Sequence, residues 1–223
     1  MNKNLFAEAI SKFALGVILV GVLIFLPAGD FLWWRGWLLM GILFVPMFGA
    51  GLVMLKKMPD LLKSRLQAKE KRAEQDMVVK LSGLMFLVGF VVAGLDSRFG
   101  WIILPDWVSW VAAAAFLSAY LLYAEVLREN AYLSRTIEVQ EGQKVVSTGL
   151  YGIVRHPMYS ATLLLFLSMP FVLGSFLSFL CFLFYPVLIV KRLKNEEAFL
   201  EEELQGYKEY KEKVKYRLIP GIW

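Results

Sequence analysis

The chain has one histidine, His156, and one cysteine, Cys181, in 223 residues. A single cysteine excludes an intrachain disulfide and leaves the redox compartment unmarked. One histidine and one cysteine also exclude a histidine-based or multi-thiolate metal cluster. Charge is scarce as well: Asp, Glu, Lys and Arg make up 19% of the residues, against 58% hydrophobic. No glycine-rich phosphate loop follows a strand pattern, and no G-x-S-x-G is present. The apolar runs hold mostly serine and threonine as polar residues, which leaves a proton or ion relay little to use and argues against a pump. There is no internal repeat and no low-complexity tract.

What is there instead is length of apolar sequence. Uncharged or nearly uncharged runs cover 13–26, 37–55, 78–95 and 107–123, the third with Lys80 placed to snorkel. Several approach the ~20 residues of a bilayer span. The first follows Lys3 and Lys12 like a signal peptide, but no small-x-small cleavage site comes after it, and it reads as an uncleaved span. The segment 157–190 has no charge at all. It is too long for one span and short for two, and Leu173-Gly174-Ser175 near its middle reads as a tight turn. Two arms of ~16 residues, each rising ~24 Å, are expected.

The expected fold is therefore an all-α integral membrane protein of about six transmembrane helices. The last two form a short hairpin, followed by a C-terminal amphipathic helix with Leu193, Leu200, Leu204, Tyr207 and Val214 on one stripe. Two regions are expected: a four-span part, 1–127, with a basic interfacial loop at 56–77, and a loop, hairpin and C-terminal helix at 128–223. Within the basic loop, 59–75 reads as an interfacial helix. The alternation in "TIEVQEGQKVV" predicts a small β-hairpin within 135–147. Of the 24 basic residues, all but Arg35 and Arg98 fall on one side of this topology. The positive-inside rule then puts both termini in the cytoplasm. The net charge of +5 is thereby a topology signal, and no nucleic-acid partner is expected. Trp33, Trp34, Trp37, Trp101, Trp107 and Trp110 flank the two opposite loops as interfacial anchors.

The remaining chemistry-bearing residues gather at the two ends of the last hairpin, which folding brings together. Tyr151, Arg155, His156, Pro157 and Tyr159 precede or open it. Arg192, Glu196, Glu197, Tyr207, Tyr210 and Arg217 follow it. Pro157 suits the first turn of a helix and holds His156 extended. Free amides of that turn and Arg155 attract a carboxylate. The glutamates suit an ammonium, and tyrosine faces a sulfonium or other cation. Taken singly, each has a plainer reading: a helix cap, a solvated helix face, belt aromatics. The cluster carries the functional reading.

"GLYGIVRHPMYSATLL" at 149–164 and "NEEAFLEEELQGYKEYKEKVKYRLIP" at 195–220 together resemble the isoprenylcysteine carboxyl methyltransferase family. More broadly they resemble the membrane methyltransferases acting on phospholipids and thiols. The shared pattern is Arg-His-Pro-x-Tyr, a short hairpin, a Glu-Glu pair, Tyr-x-x-Tyr and a late Arg-x-x-Pro. Ala161 stands where the family usually has glycine, and Gly206 directly precedes Tyr207, so both glutamates are carried over. The resemblance covers roughly 120–221. It implies S-adenosylmethionine as cofactor, bound by Tyr151, Arg155, His156, Pro157, Tyr159, Glu196, Glu197, Tyr207 and Tyr210. The amino-acid end of that molecule carries a carboxylate, an ammonium and a sulfonium; the residues permit it without singling it out. Arg217, with Glu197, would be catalytic and orient the acceptor, since a guanidinium pairs with a carboxylate at fixed geometry. The acceptor would be a lipophilic or membrane-delivered small molecule among membrane lipids. Carboxylate O-methylation is favoured because no strong base is evident; a phospholipid amine or a thiol is the alternative. Membrane sterol reductases, which bind a nicotinamide cofactor, and a non-enzymatic lipid-binding protein stay open as other readings.

Overall fold

The computed structural model describes residues 3–67, 73–102, 104–130, 132–133 and 137–223. Long helices follow the uncharged runs and extend beyond them, because helix continues until a breaker or cap rather than until the first charge. α1 covers Lys3–Ala28, α2 Trp34–Lys57, α4 Ala73–Phe99 and α5 Asp106–Glu129. Between α2 and α4, α3 spans Pro59–Gln67, while 68–72 lie outside the described residues. Of the expected interfacial helix at 59–75, α3 thus gives Pro59–Gln67, and Ala73 to Gln75 belong to α4.

The last hairpin turns where expected. α6 runs Pro157–Val172, and Gly174 takes φ +71°, a left-handed value that glycine adopts without strain. The return arm differs from expectation. A short α7, Phe176–Phe182, leads into α8, Phe184–Glu203, which continues past 190 without a break. Lys191 to Glu203 hold no glycine or proline, so nothing stops the helix where the charges begin. The break comes at Leu204 to Gly206, with Gly206 at φ +85°, and α9 (Tyr207–Lys213) starts there. The expected single C-terminal helix is thus the end of α8 plus a separate short helix. Residues 135 and 136 of the expected β-hairpin lie outside the described residues; 137–147 is irregular, with a turn closed by Gln143 N–H donating to Gln140 O at 3.0 Å, and no strand occurs among the described residues.

Among the described residues, five helical stretches are long and apolar enough to span a membrane, with α6 a shorter apolar helix beside them. The fold is that of an all-α integral membrane protein. α6 packs along α5, α4 lies between α1 and α7, and large apolar side chains such as Phe116, Phe182 and Leu39 fill the centre. Side-chain contacts fix the two ends of the bundle. At one end Lys12 Nζ donates to Leu66 O at 2.6 Å and Arg65 donates to the Tyr123 hydroxyl at 2.7 Å. At the other, Arg35 meets Asp106 beside the Gly174 turn. The hairpin mouth and the chain after it lie at the first end.

Candidate functional site

The Pro157 ring starts α6 and restricts His156, which takes φ −127°, ψ 61° as the residue capping that helix. This extended pair, Arg155-His156, lies against the tail of the chain. Arg155 N–H donates to Tyr216 O at 2.9 Å and His156 N–H to Arg217 O at 3.0 Å. Arg155 Nη1 donates to Val214 O and Lys215 O at 2.7 and 2.8 Å, and Ser160 Oγ to Leu218 O at 2.6 Å. Residues 214–218 are thereby strapped across the hairpin mouth by groups from one short motif. Of the amides in the first turn of α6, those of Tyr159 and Ser160 donate back to His156 O and are not free for an anion.

Beneath the strap lies one carboxylate. Glu197, on α8, is 3% exposed. Its Oε1 accepts Arg155 Nε at 2.7 Å and lies 3.3 Å from His156 Nε2, and its Oε2 accepts Arg217 Nε at 2.9 Å. Four segments meet there: the loop before α6, α6 itself, α8 and the tail. The Arg217 guanidinium also sits 5.1 Å from the Trp223 ring centre.

Glu196, one residue earlier, points elsewhere, because successive helical residues differ by about 100°. It accepts a hydrogen bond from the Tyr159 hydroxyl, and Arg192 Nε donates to that same hydroxyl at 3.0 Å. Arg192 and Glu196 are one turn apart on α8 and share a face. They form the wall of a cleft whose empty space, counted to its open mouth, is about 840 Å³.

Tyr151, Arg155, His156, Tyr159, Glu196, Tyr207 and Tyr210 all reach the cleft, as the sequence pattern leads one to expect. Pro157, Glu197 and Arg217 do not line it; Pro157 starts the helix, and the other two form the buried support. Pattern reading missed the opposite wall, which comes from Asn130, Tyr132, Leu133 and the irregular stretch with Glu138 and Lys144. No local motif marks those residues, since what places them is the packing of Val139 and Val145 on Leu204, Tyr207, Tyr210 and Val214.

The roof is tightly specified. Glu129 Oε2 accepts Leu150 N–H at 3.0 Å, and a Cβ on Gly149, which sits at φ +50°, would be strained and would displace the Glu129 carboxylate, 1.5 Å away. Asn130 donates to the Tyr151 hydroxyl at 2.9 Å, and burial pushes that phenol up to about 12. Tyr210 donates to Tyr151 O at 2.7 Å. Tyr207 is different: its hydroxyl is buried and has no hydrogen-bond partner. Burial first, then the charges of Glu197 and Glu196, raise its pKa, so it stays a neutral phenol with a proton to donate. Buried hydroxyls normally find partners, so the Tyr207 hydroxyl keeps a donor that no protein group uses.

Residues 107–206 match the family model described as phospholipid methyltransferase. The match takes in α5 through α8 and ends one residue before Tyr207, so α9 and the strap lie beyond it. The likeness seen in the two sequence motifs holds at this broader level of membrane methyltransferases. Similarity to curated proteins points to another class as well. The chain is 32% identical over 91 residues to Delta(14)-sterol reductase TM7SF2 of Mus musculus, covering 40% of this chain and 22% of that protein. It is 27% identical over 93 residues to the Delta(14)-sterol reductase of Methylotuvimicrobium alcaliphilum, with the same shares. It is 33% identical over 82 residues to 7-dehydrocholesterol reductase of Arabidopsis thaliana, 35% of this chain and 19% of that protein. The chain spans about a fifth of the length of these relatives.

Proposed function

We propose that this protein is an S-adenosylmethionine-dependent methyltransferase of the membrane, acting on a lipophilic or membrane-delivered acceptor at the hairpin mouth. The observation that carries this reading is the cleft wall itself. It sets an outward-facing carboxylate, Glu196, beside several neutral phenols, one of them unmatched, above a buried charge network that needs no ligand. Acidic and aromatic groups together suit a cation such as an ammonium or sulfonium. The match over 107–206 supports the same class.

Bound there, S-adenosylmethionine supplies an electrophilic methyl group. The residues of the cleft then have positioning roles: Glu196 holds positive charge, Tyr207 donates to a buried acceptor, and the phenol faces exclude water around the reacting centre. Arg217, held by Glu197, supports the floor, and the acceptor-facing cation falls to Arg192 in the wall. Tyr207 and Tyr210 stay protonated and are poor bases, so a carboxylate acceptor, ionised without help, remains the favoured substrate over an amine or thiol. The basic end of the bundle, site included, faces the cytoplasm by the positive-inside rule.

The sterol-reductase likeness favours a second reading, binding of a nicotinamide nucleotide. Its phosphates call for several cations in the cleft, and Arg155 is already committed to Glu197 and two carbonyls. Calorimetry on detergent-purified protein separates the readings. S-adenosylhomocysteine is expected to bind and NADPH is not. Binding of NADPH alone would replace the methyltransferase reading, and binding of neither would return the protein to a lipid-binding role. With binding established, a screen using methyl-labelled cofactor and membrane lipids identifies the acceptor.

A further inference from the structure

The ring of His156 stands between two carboxylates that treat it differently. Nε2 lies 3.3 Å from Glu197 Oε1, with both side chains about 95% buried. Nδ1 lies 4.0 Å from Glu196 Oε1, on the cleft side, beyond hydrogen-bond distance. Glu197 accepts from two guanidiniums, Arg155 and Arg217. A carboxylate so placed is ionised and acceptor-only, so the proton between it and the imidazole belongs to Nε2. The neutral ring then carries a lone pair at Nδ1. A doubly protonated ring would direct a charged N–H at Glu196, and such a pair closes to under ~3 Å rather than standing apart.

We propose that Glu197 is a positioning residue that holds His156 in the Nε2–H tautomer, and that the bare Nδ1 and Glu196 form a two-acceptor notch for a primary ammonium. Two lone-pair groups 4.0 Å apart repel unless a donor lies between them. A nitrogen about 2.8–2.9 Å from each sees them roughly 90° apart, near the spread of two ammonium N–H bonds. The third N–H is left for a further acceptor. A sulfonium has no N–H to offer here and a phosphate is repelled, so the notch sorts ligands by their amine. In naming that amine as the amino group of S-adenosylmethionine, the inference rests on the function proposed above; the tautomer does not.

The lone histidine makes the tautomer directly readable. Ring-¹⁵N-histidine labelling of the full chain in micelles gives one pair of ring nitrogens. Without ligand near neutral pH, the proton is expected on Nε2, with Nδ1 unprotonated. A proton on Nδ1, or on both nitrogens, overturns the proposal. In Glu197→Gln the carboxamide can donate to Nε2, so the proton is expected to move at least partly to Nδ1; an unchanged spectrum from folded variant removes Glu197 from the role. Should that variant not fold, the ammonium arm decides on wild type and Glu196→Gln. S-adenosylhomocysteine is titrated against its analogue lacking the amine. Wild type should prefer the amine by on the order of tenfold or more, and Glu196→Gln should erase most of that preference while leaving the deaminated analogue's affinity unchanged. Equal affinity of wild type for the two ligands overturns the notch. If neither ligand binds, the methyltransferase reading falls, and the wild-type ring spectrum still decides the tautomer.

Discussion

The two ends of the last hairpin are both charged and both buried, yet they are built to opposite purposes. At the turn, Arg35 Nη2 donates to Asp106 and to Leu104 O, both at 2.6 Å, and its guanidinium lies over Gly174. Asp96, 3% exposed, accepts Ser175 Oγ at 2.6 Å and Ile102 N–H at 2.9 Å. These charges are matched by side chains and backbone, and they fasten the turn to α2, α4 and α5. At the mouth, Glu197 is matched just as fully, but the layer above it is not: His156 Nδ1 stands 4.0 Å from Glu196 Oε1, and the buried Tyr207 hydroxyl has no hydrogen-bond partner. A complete buried network is a fastener. A network with one incomplete face is a site resting on a fastener.

The largest effect should come from breaking the fastener under the site. Glu197→Leu leaves Arg155 buried without its counter-charge and releases Arg217 and the strap. Removing one partner of a buried ion pair typically costs about 3–5 kcal/mol. Unfolding in detergent should show a loss of that size, with early proteolysis within 214–223. A loss below about 1 kcal/mol, the scale of an exposed pair, would mean that the network does not hold the mouth.

At the turn, a smaller and purely structural loss is expected. Gly174→Ala puts a Cβ 1.6 Å from Arg35 Nη1 at a φ of +71°. Backbone strain of this kind costs about 1–3 kcal/mol, and the long arginine side chain can yield by turning aside. The turn is ~24 Å from the mouth along the 16 residues of α6. Ligand affinity should therefore be unchanged while the melting temperature falls. A drop in both would show that the two ends are coupled through the hairpin.

The same contrast explains what was legible in the sequence. The spans and the turn at Gly174 announce themselves through missing charge and a glycine at the break, both local signals. The membership of the cleft was largely legible too, because a hairpin must bring its ends together whatever its details. What was hidden depends on phase and packing. Which of two adjacent glutamates faces the cleft follows from the rotation of α8, and that rotation is set by Leu188, Ile189 and Leu193 in the core. The uninterrupted α8 is hard to read from sequence because the charges after 190 mark a change of solvent, not a helix end, and only Gly206 supplies one. Residues 214–218 show no strand pattern, since their carbonyls are held by Arg155, His156 and Ser160 rather than by a ladder. The far wall of the cleft comes from an irregular stretch with no periodicity to read.

The finest test compares two tyrosines three residues apart on α9. Tyr210 donates to Tyr151 O at 2.7 Å and ties α9 to the roof, whereas the Tyr207 hydroxyl is buried with no partner. Their rings are neighbours, 5.8 Å between centres, in one apolar cluster, so removing either oxygen leaves the packing alone. Tyr210→Phe loses a made hydrogen bond and strands the Tyr151 carbonyl, which should cost about 1 kcal/mol of stability. Tyr207→Phe removes a desolvated hydroxyl that gains nothing in the empty protein, so its stability should be unchanged or higher by up to about 1 kcal/mol. Binding should reverse the order. If Tyr207 awaits a ligand acceptor, its loss weakens S-adenosylhomocysteine by about 1 kcal/mol, roughly fivefold, against little change for Tyr210→Phe. Melting curves of both variants with and without the ligand read all four quantities. A Tyr207→Phe protein that is less stable when empty, and binds as wild type does, would move that hydroxyl from the site to the fastener.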